Sequence, residues 1–385
     1  MGYIMIVKIA DNIISPLGMT SEENYREVKK GRTALKVYKD RWGLPEPFTA
    51  SLFQGDTIEN AFSSFHSHAQ YTEFEKAAIL SIHQALQQTD VNPSSDRVQF
   101  ILSTTKGNIS LLDDNPYKFP EERVLLGSSA KNIAGFFHNP NQPIVISNAC
   151  ISGVCAQITA MRCLQNGSCD IAIVTGADIQ SRFIVSGFQS FQALSPLPCK
   201  PFDRDRCGLN LGEAAATVIY STSVPQDSEK RWMPVSGAIR NDANHISGPS
   251  RTGEGSYRAL RSILKGQDVN SIAFVNSHGT STAYNDEMES IAITRAGLQD
   301  IPVNSLKGYY GHTMGAAGIL ESVISMHALD DSTILGTKGF ENAGVSHPLH
   351  ISSQNEQTDK TAFIKLLSGF GGCNASMFFK KGIIL

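Results

Sequence analysis

The chain has 385 residues, of which 41% are hydrophobic and 18% are charged, and its formal net charge is −3. This composition is typical of a soluble globular protein that is long enough to bury a large core. Basic residues are not in excess, which argues against nucleic acid, and the first apolar run, broken by Lys8 and Asp11, is too short for a signal peptide or a membrane segment.

The 7 cysteines show no CxxC or other spacing typical of metal ligands. Their odd number, without a secretory signal, predicts reduced thiols in a cytoplasmic protein. We therefore expect no bound metal, no nucleic-acid partner and no membrane association.

Strands and helices alternate along the chain in two similar sets. In the first set, apolar strand-like runs begin at residues 98, 143, 170 and 214, and a helical pattern runs from Cys150 to Gly167. In the second set, the runs begin at residues 272, 302, 361 and 375, with a helix predicted over 313–329. The polar stretch 221–231 between the sets is typical of a linker. These patterns predict an internally duplicated α/β protein with halves at 1–231 and 232–385.

Cys150 lies where the apolar run at 143–147 passes directly into the first helix. The free amides and the positive end of the dipole at a helix N-terminus favour a thiolate over a thiol. A cysteine at such a position is therefore a candidate nucleophile. Taken alone, a cysteine before a helix is more often a small buried hydrophobic residue.

Two histidines also follow apolar strands. His278 opens the run His-Gly-Thr-Ser-Thr, and His312 closes the run Lys-Gly-Tyr-Tyr-Gly-His that begins at Lys307. One loop histidine alone is more often structural. A thiol, two histidines and a lysine at strand ends, however, form a plausible active-site set.

Five motifs occur in a fixed order along the chain. They are Asn-Ala-Cys-Ile-Ser-Gly at 148–153, Pro-Phe-Asp-Arg-Asp-Arg-Cys-Gly-Leu-Asn-Leu-Gly-Glu at 201–213, the two histidine motifs at 278–282 and 307–312, and Gly-Phe-Gly-Gly-Cys-Asn at 369–374. With them the chain resembles the β-ketoacyl-[acyl-carrier-protein] synthases of the decarboxylating Cys-His-His kind, from the strand at 4–17 to the strand at 376–380. The resemblance implies a thiolase fold: two duplicated halves in five αβαβα layers, with the active site between them.

The resemblance also implies a reaction. Cys150 would accept an acyl group from an acyl-carrier protein, and His278 and His312 would hold the thioester carbonyl of malonyl-carrier protein while CO2 leaves. The backbone amides of Cys150 and Phe370 would form the oxyanion hole. No diffusible cofactor is implied, because phosphopantetheine is carried on the partner protein.

Other matched positions imply supporting roles. Lys307 would pair with Glu321 and orient His312, since a buried ammonium needs a charged partner. Thr280 and Thr282 would contact the phosphopantetheine arm, whose amides need polar partners along a narrow channel. Two threonines that only stabilise a turn are the alternative.

Four features differ from housekeeping relatives. Ser368 stands where many carry phenylalanine, Cys373 stands where they carry threonine, and Gly-Tyr-Tyr-Gly precedes His312. The segment between Lys106 and Cys150, which shapes the acyl tunnel in the family, is also short. A specialised aryl-polyene or polyketide-like pathway is therefore an alternative to fatty acid synthesis.

Other classes of protein share parts of this pattern. A non-catalytic chain-length-factor-like subunit should lack the nucleophile, and a pure carrier-binding module would need neither thiol nor histidines. A thiolase would need a second catalytic cysteine, which Cys373 could supply, although its loop is synthase-like. In the family the strand at 143–147 pairs with its twin, so the resemblance implies a homodimer, or a heterodimer with a chain-length-factor-like subunit.

Overall fold

The computed structural model describes residues 4–65, 69–223 and 230–383. The strands are β1 (Val7–Ile14), β2 (Lys36–Tyr38), β3 (Phe48–Ser51), β4 (Val98–Ser103), β5 (Ile144–Ile146), β6 (Ile171–Asp178), β7 (Leu211–Gly212), β8 (Ala214–Ser221), β9 (Lys230–Asn241), β10 (Ile272–Asn276), β11 (Val303–Asn304), β12 (Thr333–Ile334), β13 (Glu356–Gln357), β14 (Ala362–Gly369) and β15 (Cys373–Ile383). The α-helices are α1 (Ser21–Lys29), α2 (Thr57–Phe62), α3 (Glu73–Leu86), α4 (Leu126–Phe136), α5 (Ser152–Gln165), α6 (Arg182–Ser190), α7 (Glu254–Leu264), α8 (Ala283–Arg295), α9 (Lys307–Tyr310) and α10 (Ala317–Asp330).

Two five-stranded sheets repeat one topology. The first has the strand order β1-β8-β6-β4-β5, and the second has the order β9-β15-β14-β10-β11. In each sheet the first two pairings are antiparallel and the last two are parallel. The predicted internal duplication is therefore confirmed by the position and direction of every matched strand.

Helices cover both faces of each sheet. α5 and α10 lie between the two sheets, within one core that draws buried residues from both halves. α3 packs on the outer face of the first sheet, and α7 packs on the outer face of the second and contacts α8. Because an apolar sheet must be covered on each side, this order gives the predicted five layers αβαβα.

The two central helices approach closely at glycines. A Cβ atom placed on Gly153 of α5 would lie 3.0 Å from Cα of Gly318, and one placed on Gly318 of α10 would lie 2.5 Å from the backbone nitrogen of Val154. Only glycine fits at such a backbone-to-backbone contact. Since Gly153 lies near Cys150 and Gly318 near His312 in the chain, this crossing brings the two candidate site segments together.

Element boundaries differ from the sequence-based predictions in places. The helix predicted from residue 313 begins at Ala317, after a 3-10 turn over Met314–Ala316. Residues 224–229 of the predicted linker lie outside the described residues, and the division at residue 231 stays a prediction. Among the described residues, no helix combines the length and apolar character needed to cross a bilayer.

Candidate active site

A strained turn carries Cys150 from β5 to α5. Ala149 has a φ of 45°, a conformation that costs a non-glycine residue about 1–3 kcal/mol. Ser152, the first residue of α5, closes the turn: its hydroxyl donates to the Ala149 carbonyl at 2.6 Å and accepts from the backbone N–H of Asn148 at 2.8 Å. These contacts fix Cys150 in front of the helix.

The thiol of Cys150 is buried, with 7% of the residue exposed. Burial raises its pKa to about 12, and the nearby Cys373 adds to the rise, while Lys307 and a hydrogen bond from the backbone of Phe370 oppose it. The prediction that the helix N-terminus favours the thiolate is therefore wrong for this structure. The helix begins two residues later, at Ser152, and the loss of hydration on burial is the largest influence on this pKa.

His278 follows β10 in a loop held by a carboxylate. Glu289 of α8 accepts hydrogen bonds from the backbone N–H groups of His278 and Gly279, both at 2.7 Å. Gly279 has a φ of 44°, and a Cβ there would lie 2.5 Å from that of Ser305, so the turn needs glycine. Nδ1 of His278 is buried without a hydrogen-bond partner in the described residues.

His312 is held by contacts with a different part of the chain. Its backbone N–H donates to the carbonyl of Asn210 at 2.7 Å, and Gly311 before it has a φ of 68°. Ring atom Nδ1 accepts from the backbone N–H of Met314 at 3.3 Å. This hydrogen bond assigns the proton of the neutral ring to Nε2, which has no partner among residues 4–65, 69–223 and 230–383.

The structure brings the three predicted residues together. The His278 and His312 rings meet edge to face, with centroids 5.0 Å apart. The sulfur of Cys150 and one ring nitrogen of each histidine lie within 4.8 Å of one another. Burial holds the pKa of both imidazoles well below its usual value, and Lys307 and Lys365 add to this effect. The histidines are therefore neutral near pH 7. Thiolate and imidazole are also zinc ligands, although the sequence predicts no metal.

A buried ion cluster supports the histidines. Glu321 of α10 pairs with Lys307, as predicted, and also with Lys365 of β14. Burial raises the pKa of Glu321, but the two ammonium groups outweigh burial and hold that pKa below its usual value. Sequence reasoning missed Lys365, although one lysine in the apolar run Ala-Phe-Ile-Lys-Leu-Leu was a usable signal.

The glycine loop after β14 places Phe370 beside the thiol. A Cβ on Gly369 would lie 3.1 Å from the backbone nitrogen of Cys150, so this close approach favours glycine. The ring of Phe370 stacks on Phe188 with centroids 5.9 Å apart, and 36% of the residue is exposed. The backbone of Phe370 and that of Cys150 thus flank the sulfur, where the sequence predicts the oxyanion hole.

A cavity connects the thiol and histidines with the two predicted threonines. The hydroxyl oxygens of Thr280 and Thr282 lie 2.9 Å apart and both residues line the cavity. A neighbouring surface pocket shares Thr282 and Phe370 and reaches the exposed Tyr284. This arrangement provides a route from the surface to Cys150 that passes two hydroxyl groups.

Two departures noted in the sequence lie at this site. Ser368 lines the cavity, and its hydroxyl donates to Oδ1 of Asn374 at 2.9 Å. Cys373 donates its thiol to the Phe370 carbonyl at 3.2 Å. Ser368 thus puts a small polar side chain, bound to the loop, where a phenylalanine ring would fill space.

Comparisons with known proteins identify the family. The model of the β-ketoacyl synthase N-terminal domain matches residues 5–223, and that of the C-terminal domain matches residues 235–341. The chain belongs to the β-ketoacyl synthase family. Among relatives of this synthase, 3-oxoacyl-[acyl-carrier-protein] synthase 2 of Rhizobium meliloti is 26% identical over 98% of each chain. Its namesake from Vibrio cholerae is 26% identical over 98% of this chain and 99% of its own.

Solved structures share the fold of this synthase. A β-ketoacyl synthase from Burkholderia phymatum aligns over 100% of both chains with a TM-score of 0.86 at 23% identity. The structure of a ketosynthase in complex with its chain length factor, from Xenorhabdus doucetiae, aligns over 99% of this chain and 98% of its own, with a TM-score of 0.86 at 23% identity. The predicted thiolase fold is confirmed.

The prediction of a condensing acyltransferase is likewise confirmed, and it is favoured over the chain-length-factor and thiolase alternatives. The roles assigned to individual residues remain predictions.

Proposed function

We propose that the protein joins an acyl group held on Cys150 to malonyl-acyl-carrier protein, giving 3-oxoacyl-carrier protein and CO2. One observation carries the proposal: a buried thiol and two neutral imidazoles meet in a single cavity. Joining two thioesters needs a nucleophile that holds one acyl group and donors that stabilise an enolate.

In the first half-reaction the sulfur of Cys150 attacks the thioester carbonyl of an acyl-carrier protein. A carbon–sulfur bond forms to Cys150, the bond to phosphopantetheine breaks, and the departing thiolate takes up the thiol proton. The backbone amides of Cys150 and Phe370 hold the oxyanion. Because burial raises the pKa of Cys150 to about 12, the thiol stays protonated until substrate arrives.

In the second half-reaction malonyl-carrier protein loses CO2. The electron pair of the broken carbon–carbon bond moves to the thioester oxygen, which accepts hydrogen bonds from His278 and His312. The N–H at Nε2 of His312 is free to donate in this way. Each such donor contributes about 3–4 kcal/mol to transition-state stabilisation. The enolate carbon attacks the Cys150 thioester, and the released thiolate regains a proton from water.

The proposed partner is an acyl-carrier protein, whose phosphopantetheine arm would pass Thr280 and Thr282. Because this arm is attached to the carrier protein, the reaction would need no diffusible cofactor. The names of the relatives, 3-oxoacyl-[acyl-carrier-protein] synthase 2, support this choice. A cytoplasmic location, where carrier proteins would meet the enzyme, belongs to the same proposal.

We also propose a dimer through β5. This strand ends its sheet, and Ile144–Ile146 are only partly buried. Pairing with the same strand of a second copy would extend the sheet across both subunits and bury above ~2,000 Å² in total. A chain-length-factor-like subunit is the alternative partner. Light scattering should return about twice the 41.7 kDa chain mass, and a fully active monomer would refute the interface.

The choice of second substrate tests the reaction. With purified protein, acyl-carrier protein and radiolabelled malonyl-carrier protein, we expect labelled CO2 and 3-oxoacyl product in equal amounts. Acetyl-CoA in place of the malonyl substrate should give no product. Condensation with acetyl-CoA and no CO2 would instead identify a thiolase.

The pathway is proposed at the level of fatty acid or specialised polyene and polyketide-like synthesis. Ser368 supports the specialised branch because it adds room and a hydroxyl beside Cys150. Ser368→Phe should narrow the range of acyl chains that the enzyme accepts. Rates measured with carrier proteins that bear saturated or unsaturated acyl chains would show the change. If the preference among acyl chains is unaltered, Ser368 does not determine it.

A further inference from the structure

We propose that Lys365 is a positioning residue of the decarboxylation site, because it joins the loop of His278 to the ion pair beside His312. The inference rests on the proposed function, since it concerns the step in which CO2 leaves. Lys365 is a second buried cation beside the Lys307–Glu321 pair that the family resemblance predicts.

Lys365 is 0% exposed, and its polar contacts within the described part of the chain are to the framework of the site. Its ammonium donates to Oδ1 of Asn276 at 2.6 Å and to the carbonyls of Asn276 at 3.3 Å and Ser277 at 3.2 Å. The Ser277 carbonyl belongs to the peptide group whose N–H is that of His278. Because Glu289 accepts that N–H at 2.7 Å, the peptide group before His278 is held on both sides.

The same ammonium reaches the other histidine through Glu321. One carboxylate oxygen of Glu321 pairs with Lys365 and the other pairs with Lys307, which begins α9 five residues before His312. Both histidine loops are thereby fastened to a single carboxylate on α10. Moving either loop would require breaking a buried ion pair.

The cluster of Lys307, Lys365 and Glu321 has more positive than negative groups. Two ammonium groups face one carboxylate, Glu321, and Lys365 is also coupled to Glu289 of α8 and to the imidazoles of His278 and His312. Burial lowers the pKa of Lys365 to about 8, and Glu321 opposes the drop. Below that pH the second ammonium helps keep both imidazoles neutral and stabilises negative charge on the enolate oxygen.

The test compares Lys365→Met and Lys365→Arg with Lys360→Met. Lys360 is a matched control, because it donates to the carbonyl of Ile272 at 3.1 Å, at the opposite end of β10. Acyl transfer to Cys150 and CO2 release from malonyl-carrier protein are measured separately between pH 6 and pH 9. Lys365→Met should slow CO2 release about 100-fold, the effect of a small misplacement of catalytic groups, while acyl transfer is unchanged. Lys360→Met should leave both rates unchanged.

The pH profile separates positioning and charge from a merely structural role. Wild-type CO2 release should fall as the pH rises through about 8, when Lys365 loses its proton. Lys365→Met should lack this fall, and Lys365→Arg, which stays charged, should retain its rate above pH 8.

Equal losses in both half-reactions, or a wild-type pH profile at a lower rate in Lys365→Met, would overturn the inference. If Lys365→Met does not fold, the profile of Lys365→Arg decides alone. An active wild type with unaffected variants refutes only the inference, whereas a wild type that releases no CO2 refutes the proposed function as well.

Discussion

Two cations, Lys307 and Lys365, share one anion, Glu321. We therefore expect Glu321→Gln to lower the stability of the fold more than Lys365→Met does. Glu321→Gln leaves two buried ammonium groups, on Lys307 and Lys365, without the carboxylate that pairs with both. Removing one partner of a buried ion pair costs about 3–5 kcal/mol. Lys365→Met instead leaves a balanced pair of Lys307 with Glu321 and frees acceptors on Asn276 and Ser277, which costs about 1–3 kcal/mol.

The assay is thermal unfolding of the purified variants under identical conditions. With an unfolding entropy of about 2.1 cal/mol/K per residue, a loss of 3–5 kcal/mol lowers the melting temperature of a chain this long by roughly 4–6 °C. Lys365→Met should therefore melt between Glu321→Gln and the wild type. The double variant Glu321→Gln with Lys365→Met should recover part of the loss, since one unpaired cation is gone. Equal effects of the two single variants, or none, would refute the idea of a shared carboxylate.

Further predictions concern the thiol, the histidines and the glycine loop. Cys150→Ala should abolish acyl transfer and condensation, while alanine at each of five other cysteines preserves activity; retained activity without Cys150 would exclude it as nucleophile. The alanine variants to compare are Cys155, Cys163, Cys169, Cys199 and Cys207. His278→Ala and His312→Ala should still accept acyl groups but release CO2 about 10²–10³-fold more slowly, and undiminished release of labelled CO2 would contradict their role. Gly369→Ala should slow acyl transfer, because its Cβ would lie 3.1 Å from the Cys150 nitrogen, whereas Gly135→Ala, with nothing within 4 Å, should not; equal rates would argue against this close approach.

The sequence predicts the framework well where local pattern decides it. Apolar strand runs, the two repeated sets and the glycines beside His278 and His312 are local signals, and the sheets and turns follow them. The resemblance to the family also implies the pairing of Lys307 with Glu321, fourteen residues along the chain, before any packing is known.

Features that depend on tertiary packing could not be predicted in this way. The pKa of Cys150 is raised mainly by burial of the thiol, and an argument from its position at the start of a helix takes no account of burial. Lys365 is one cation in a strand, and only the pairing of β14 with β10 brings it to Ser277. The contact between Thr280 and Thr282 likewise appears only once the loop is folded.

The most direct test of the account is the covalent intermediate on Cys150. The protein is mixed with an acyl-carrier protein, its intact mass is recorded, and the modified peptide is mapped after proteolysis. We predict a mass gain of one acyl group on the peptide that contains Cys150, and its loss when malonyl-carrier protein is added, with one CO2 released per acyl group consumed. An acyl group on another residue, or a thioester that persists after malonyl-carrier protein is added, would contradict the account.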